Sequence, residues 1–359
     1  MNQDPSTPHL VHSKPRKAVA LLSGGLDSML AARVVMDQGI ELEAITFFTG
    51  FCTDALRHLS GLRDTPKHNR HDAIWVAEQL GIRHHIIDVV DEYKQVVLNP
   101  RHGYGSHLNP CLDCKVFMVR RAREWIAANG FDFIVTGEVV GQRPKSQTKR
   151  VLPVVATESG ADDLLLRPLS AKLLLETLPE RAGWVDRAAL HAFSGRSRKP
   201  QIELARRLGL NQYTQPAGGC CVLTEAAYAD KLRDLWAHRG KRDYEFDDIM
   251  LLNVGRHLRP RPHFKLIVSR DAAETQYLEG YRRAFVHLRV LSHPGPLTLI
   301  DGNATDDEDL ILAARIAARF SQGRAAERVT LAVVRPGLPE EPLEVRPCAP
   351  EDISPNWYI

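Results

Sequence analysis

Two stretches of this 359-residue sequence carry residue types that could do chemistry. The first is SGGLDS, residues 23–28, which follows the apolar run KAVALL. A strand that turns into a helix through adjacent glycines leaves backbone N–H groups pointing outward at the helix N-terminus, where an anion is stabilised. Gly24 and Gly25 allow close approach and unusual torsions, and Ser23 and Ser28 add hydroxyl donors. Asp27 is out of place beside an anion unless it caps the helix or binds a metal that accompanies the anion. The stretch predicts a phosphate site; a plain strand–turn–helix with a capping Asp or Ser is the alternative.

The second feature is the cysteine set: Cys52, Cys111, Cys114, Cys220, Cys221 and Cys348. In a reducing compartment structural disulfides are not the first expectation, and metal or redox chemistry better suits the clustered ones. Cys111 and Cys114 form Cys-x-x-Cys at the start of a helical pattern, where a helix N-terminus favours thiolate. Cys220 follows Gly218 and Gly219 in a second turn. Three thiolates from two loops suit a [4Fe–4S] cluster with one iron lacking a protein ligand. That iron could hold an inorganic sulfide or activate it. Two other chemistries stay open. One is a persulfide on one cysteine, resolved by another as a disulfide. The other is zinc, for which His107 is a fourth ligand by nearness alone. Cys221 is the alternate to Cys220, because adjacent side chains diverge. Cys52, just past the second strand, and Cys348, in the tail, read as bystanders. Asp113 reads as a helix cap.

These residues are positioned by a regular alternation. KAVALL, LEAITFF, HHIIDVV and FDFIVTG read as strands. SMLAARVVMDQG, NRHDAIWVAEQLG and KVFMVRRAREWIAANG read as helices, each ending in glycine. Such alternation predicts an α/β fold, a parallel sheet with helices on both faces. Ligands then bind at the carboxyl ends of the strands. Phe47 and Phe48 reach that end and would flank a base or enter the core. Residues 140–225 are less regular, with a helix over IELARRLG and another over TEAAYADKLRDLWAH. Beyond about residue 240 a smaller α+β module begins, with strands FKLIVS, LTLID and VTLAVV and helices AAETQYLEGYRRAF and DEDLILAARIAARFS. The divisions expected are a flexible tail over 1–16, a nucleotide-type domain over 17–240, the α+β module over 241–340 and an irregular tail over 341–359.

The composition is that of an ordinary globular chain, 44% hydrophobic and 25% charged. No apolar run reaches the length of a membrane span. The first residues lack the apolar core of a secretory signal, so no membrane partner and a cytoplasmic location are expected. The net charge is only +3, but basic residues cluster in GRSRK (195–199), HRGKR (238–242) and RHLRPRPHFK (256–265). Three such clusters favour an anionic polymer as partner. Arg196, Arg198 and Lys199 are candidates for RNA backbone contact, and Lys145, Lys149 and Arg150 for phosphates of a nucleotide or of RNA.

SGGLDS after a strand resembles the PP-loop, SGGxDS, of the ATP pyrophosphatase superfamily. VTGEVVGQRPKSQT (135–148), followed by LLLRPLSAKLLLE (164–176), resembles the PP-loop domain of tRNA 4-thiouridine synthases. GYGSHLNPCLDCK (103–115) and PAGGCCVLTE (216–225) resemble the cysteine loops of tRNA 2-thiouridine synthases. The resemblance covers roughly 17–235. It implies a Rossmann-like, adenine nucleotide alpha hydrolase-like domain that binds ATP and Mg²⁺. Ser23, Gly24, Gly25, Asp27, Ser28, Gly137 and Gln142 would contact the nucleotide, with Asp27 on Mg²⁺, and Glu138, Gly141, Ser146 and Gln147 would border the crevice. It implies adenylation of a tRNA uridine, then sulfur insertion involving Cys111, Cys114 and Cys220, at a [4Fe–4S] cluster in several iron–sulfur members. The sulfur donor would be inorganic sulfide or a cysteine desulfurase, and a homodimer is an admissible assembly. The alternatives are the same ATP chemistry on a small molecule and an ATP- or RNA-binding redox sensor. GRHLRPRPHFKLIVSR gives the C-terminal module a resemblance to RNA-binding modules of ribosome-quality-control proteins.

Overall fold

The computed structural model describes residues 15–52, 72–213, 221–304 and 306–359. These fall into two compact units, each drawn from several stretches of chain. The first takes described residues from Met1–Phe47, Asp72–Asp88 and Cys111–Ala217; the second takes them from Phe48–His71, Val89–Pro110 and Gly218–Ile359. The chain runs β1 (Lys17–Leu21), α1 (Leu26–Met36), β2 (Glu41–Phe48), α2 (Asp72–Leu80), β3 (His84–Asp88), α3 (Val90–Leu98), α4 (Cys111–Asn129), β4 (Phe133–Thr136), α5 (Val151–Ser159), β5 (Leu165–Leu166), α6 (Leu178–Arg181) and α7 (Lys199–Arg207). There follow α8 (Ala226–Arg239), α9 (Phe246–Leu252), β6 (Arg256–Arg261), β7 (Phe264–Val268), α10 (Ala272–Glu279), β8 (Val286–Val290), β9 (Leu297–Gly302), α11 (Asp307–Arg319), β10 (Val329–Val334) and β11 (Glu341–Val345).

The first unit is the expected α/β fold. Its five-stranded sheet has the order β3-β2-β1-β4-β5. β1 lies parallel to both β2 and β4, and β4 parallel to β5. β1 is central, so both its faces are covered, and Ala18, Val19 and Ala20 are all but inaccessible. That is why residues 18–22, AVALL, are apolar throughout and do not alternate. Helix α1 buries Leu26, Met29 and Leu30 in the same core as Phe133, Val135, Leu204 and Ala205. The strand order reverses between β1 and β4, and a crevice opens at such a switch point, outside the strands' carboxyl ends. SGGLDS leaves β1 and the segment 137–147 leaves β4 at that place.

The second unit holds a six-stranded sheet of order β11-β10-β8-β9-β7-β6. All its pairings are antiparallel. Helix α11 presents Leu310, Ala313, Ala314 and Ala317 to the core formed by Phe264, Leu266, Leu288 and Leu331. Phe51, 1% exposed, packs against Tyr93, Tyr228 and Tyr244 at ring separations of 6.3, 6.3 and 5.4 Å. This aromatic cluster gathers segments near 51, 93 and 228–244 into the unit. The compact division therefore departs from a boundary at 240, because early and middle segments pack with the C-terminal module.

Two further differences from expectation have local causes. α5 carries Pro153 in its first turn, where proline is tolerated because its N–H would have no partner. Glu341–Val345, expected to be irregular, is the edge strand β11 paired with β10; Pro342 is compatible with an edge position. Among the described residues no helix is long and apolar enough to cross a membrane.

Candidate active site

The loop between β1 and α1 is tied by its own hydroxyls. The Ser28 hydroxyl donates to the Gly25 carbonyl at 2.9 Å and lies 3.3 Å from the Ser23 N–H, which donates to it. Gly24 adopts φ +74°, and a Cβ there would meet the Asp72 Cβ at 2.4 Å. Glycine is thus required by conformation and by close approach together. Gly25 is the N-cap of α1 and supplies no side-chain cap. The first-turn N–H groups of an eleven-residue helix are left for another acceptor, which is what a phosphate needs.

Asp27 lies in that first turn. Its Oδ2 accepts from Gln142 Nε2 at 2.7 Å, and Arg198 Nη2 stands 3.8 Å from its Oδ1. Gln142 is held in turn by Gln201 Nε2, which donates to its Oε1 at 3.5 Å. The backbone explains how such distant residues meet. Val140 and Ser194 form a parallel bridge, and the Gly195 N–H donates to the Val140 carbonyl at 2.7 Å. The Val140 N–H donates to the buried Ser170 hydroxyl at 3.0 Å, which itself donates to the Phe193 carbonyl at 2.7 Å.

Behind this loop is a buried charge pair. Glu138, 2% exposed, accepts from Arg167 Nε at 2.9 Å and from the Thr136 hydroxyl at 3.3 Å. Lys115 Nζ is 3.8 Å from its other oxygen. Burial would raise the Glu138 carboxyl, but the Arg167 guanidinium, then Lys115, outweigh it and hold the pKa below the usual carboxylate range. Glu138 is therefore an ionised anchor for Arg167, not a proton donor.

Several polar atoms here are buried without a hydrogen bond: Asp27 Oδ1, Glu138 Oε1, Ser146 Oγ, Gln147 Oε1, Arg198 Nε and Gln201 Oε1. Each such atom costs about 1–3 kcal/mol when unsatisfied. Their concentration in one unit, on segments linked to the glycine loop, fits a polar ligand. A nucleotide triphosphate matches the uncapped helix start. Asp27 Oδ1 is an oxygen of the kind a hard divalent cation takes.

Of the candidate nucleotide contacts, Ser23, Gly24 and Gly25 lie on the turn after β1, Asp27 and Ser28 in the first turn of α1, and Gly137 and Gln142 on the segment after β4. Arg198, expected among RNA contacts, is only partly exposed and turns toward Asp27. Lys145, Lys149, Arg196 and Lys199 are exposed. Phe47 is buried, whereas Phe48 meets Phe246 edge-on at 6.0 Å. Sequence reasoning gave Arg167, Lys115 and Gln201 no role. Arg167 stands in the RPL segment, but only the fold shows its partner, Glu138.

Cys111 and Cys114 are half-buried in the first turn of α4, three residues apart and so neighbours on one face. Asp113 lies in that turn, not at the cap, where its charge complements the helix dipole. Cys220 lies outside the described residues. Cys221 and Cys52, in the second unit, form an isolated antiparallel backbone bridge. Cys348 is buried in the C-terminal core. His107 also belongs to the second unit. Among the described residues no three His, Cys, Asp or Glu are grouped to hold a metal ion, and two thiols in one turn fall short of a three-ligand set.

Residues 16–176 match the tRNA methyl transferase HUP domain family. Residues 255–358 match the NFACT protein RNA binding domain. The chain is 32% identical over 168 residues to a tRNA-specific 2-thiouridylase MnmA of Pelobacter propionicus, over 44% of this chain and 43% of that protein. It is 26% identical over 331 residues to a tRNA-specific 2-thiouridylase MnmA of Nostoc sp., over 79% of this chain and 88% of that protein. It thus spans less than half of the Pelobacter relative's length. A crystal structure of a 4-thiouridine synthetase–RNA complex with bound ATP aligns at 20% identity and a TM-score of 0.33, over 54% of this chain and 52% of that chain. The similarity to tRNA thiouridine synthases read from the loop segments is found again by sequence comparison over parts of the chain.

Proposed function

We propose that this chain is an ATP-dependent tRNA sulfurtransferase that converts a uridine to a thiouridine. The observation that carries the reading is the uncapped start of α1 with Asp27 beside it, held by Gln142 and faced by Arg198. The α1 N-terminus and Arg198 receive the phosphates of ATP. The uridine carbonyl oxygen attacks the α-phosphorus, the bond to pyrophosphate breaks, and pyrophosphate leaves. Negative charge that develops on the phosphate oxygens is met by fixed N–H groups, which need no reorganisation. A sulfur nucleophile then adds to the activated carbon, and AMP departs with the former carbonyl oxygen. A target base within a stem must leave the stack to reach this loop.

Magnesium, when bound, would offset phosphate charge, and Asp27 is the residue that would hold it. Cys111 and Cys114 would be two ligands of a [4Fe–4S] cluster and Cys220, or its alternate Cys221, the third; the cluster carries no step here. Sulfur reaches the base through the cysteines, from sulfide or from a desulfurase. The match of residues 255–358 to an RNA-binding family supports tRNA contact through the C-terminal module. A cytoplasmic address accords with this substrate.

The test is pyrophosphate release by the purified chain with ATP and unmodified tRNA, followed by mass spectrometry of the tRNA nucleosides. Release that depends on tRNA and yields a thiouridine is expected, and Asp27→Ala should abolish it in a folded chain. Release driven by a small metabolite but not by tRNA would overturn the reading.

A further inference from the structure

The basic stretch HRGKR, residues 238–242, lies outside both matched segments, 16–176 and 255–358. Gly240 ends α8 in the left-handed region at φ +65°, which turns the chain away from the helix axis. Arg242 follows that turn and reaches Trp236, on the last turn of α8. Its guanidinium carbon stands 4.9 Å from the centroid of the Trp236 ring and 5.4 Å from that of Tyr104. All three residues belong to the second unit. Tyr104 is itself fixed: its hydroxyl donates to the Val97 carbonyl in α3 and accepts from Arg242 Nη2. Burial pushes the Tyr104 phenol up, against the lowering effect of the Arg242 charge, so the proton that makes the first bond is retained.

Arg242 differs from the cations around it. Arg239 is closed by two contacts of 2.5 Å to Asp248, Lys241 by Asp243 at 3.1 Å, and Arg259 by Asp234 at 2.6 Å. Among the described residues no carboxylate pairs with Arg242, although it is exposed. A guanidinium carries five N–H donors in a planar fork, and here Tyr104 takes only one of them. Two rings and a hydrogen bond already hold the plane, so an arriving anion costs little further side-chain ordering. A charge that is desolvated in part, oriented and left without a counter-ion is arranged for an external anion.

We propose that Arg242, held over Tyr104 and Trp236, is a phosphate-binding site for the backbone of the RNA substrate. The inference rests on the reading of tRNA as substrate and deepens it, since it names a contact outside the RNA-binding match. The free N–H groups of the fork pair with two oxygens of one phosphodiester. Such a contact is blind to sequence and sets position. The half-buried rings beside it offer stacking to an adjacent base. RNA held at Arg242 is tied through Tyr104 to the segment 103–115, which continues into Cys111.

The wild-type chain is treated with phenylglyoxal, which modifies accessible arginines, with and without unmodified tRNA. Each arginine is then read by peptide mass spectrometry. Protection of Arg242 by tRNA, and none by polyglutamate, is expected, and no variant has to fold for that result. Arg242→Gln should lower the slope of log tRNA affinity against log salt by about 0.7–0.9, the share of one phosphate. Arg242→Lys should keep the slope but bind about three- to tenfold more weakly, since an ammonium lacks the planar fork. An Arg242 that reacts equally with and without tRNA would overturn the proposal. So would protection by polyglutamate, which would make this a surface for an acidic protein, or a lysine variant that binds as tightly as wild type. None of these readouts involves ATP or sulfur. A tRNA that protects Arg242 but is never thiolated would count against the proposed function alone. A tRNA that is thiolated while Arg242 stays reactive would count against this site alone.

Discussion

Gly137 lies against the first turn of α1 so closely that a Cβ would stand 2.4 Å from the Ser28 nitrogen and 2.5 Å from the Asp27 carbonyl carbon. Both neighbours are backbone, so neither can swing aside. This contact joins the ends of β1 and β4 at the point where the strand order reverses. Gly137→Ala must push the two loops apart, at a cost of about 1–3 kcal/mol for overpacking. The expected outcome is a lower urea midpoint and a raised KM for ATP in pyrophosphate release. A variant with both values unchanged would remove this contact from the site.

Lys231 gives the second unit a stability signature in alkali. It donates to the Leu252 carbonyl at 3.0 Å. Burial, then the Arg270 charge, lowers its pKa from 10.5 to about 8. Between those values the unfolded chain binds more protons than the folded one, so this group makes stability rise with pH. The penalty is fully present below the folded value and is relieved as pH climbs toward the unfolded one. Lys231→Met should remove this rise. Urea midpoints of the two chains, compared from about pH 7 to about pH 10, should draw together as pH climbs; a constant offset would refute a desolvated lysine.

The cluster question is settled by iron. Anaerobically purified chain with a [4Fe–4S] centre would carry about four iron atoms and absorb in the visible. Cys111→Ala should lose both the iron and the absorption. Iron kept at the wild-type level excludes Cys111 as a ligand, and an iron-free wild type leaves the thiol route alone.

Exposed Lys145 and Lys149 lead to a salt experiment. Each neutralised phosphate contributes about 0.7–0.9 to the slope of log affinity against log salt. Replacing both lysines with glutamine should lower that slope by about 1–2 and weaken unrelated tRNAs alike. An unchanged slope would assign the phosphate contacts to other segments.

Much of the first unit was legible because its signals are local. KAVALL, SGGLDS and the glycine-ended helices state strand, turn and helix within a few residues of each other. α5 was not legible, since Pro153 in its first turn looks like a breaker until its position in the helix is known. β11 was missed because Pro342 argues against a central strand but not against an edge. The RNA assignment of Arg198 followed from its neighbours in GRSRK, whereas its side chain is turned to Asp27.

The sequence by itself determined the alternating order of elements, the glycine loop at a strand end and the Cys-x-x-Cys at a helix start. These depend on periodicity, backbone freedom and spacing, all of which act over a few residues. Only the tertiary structure decided that Gln142 holds Asp27 across 115 positions, that Arg167 neutralises a buried Glu138, and that Cys52 opposes Cys221. Such partners are chosen by how the sheet orders its strands and by which loops the core forces together. A buried charge requires a partner, but nothing local to it says which segment will supply one.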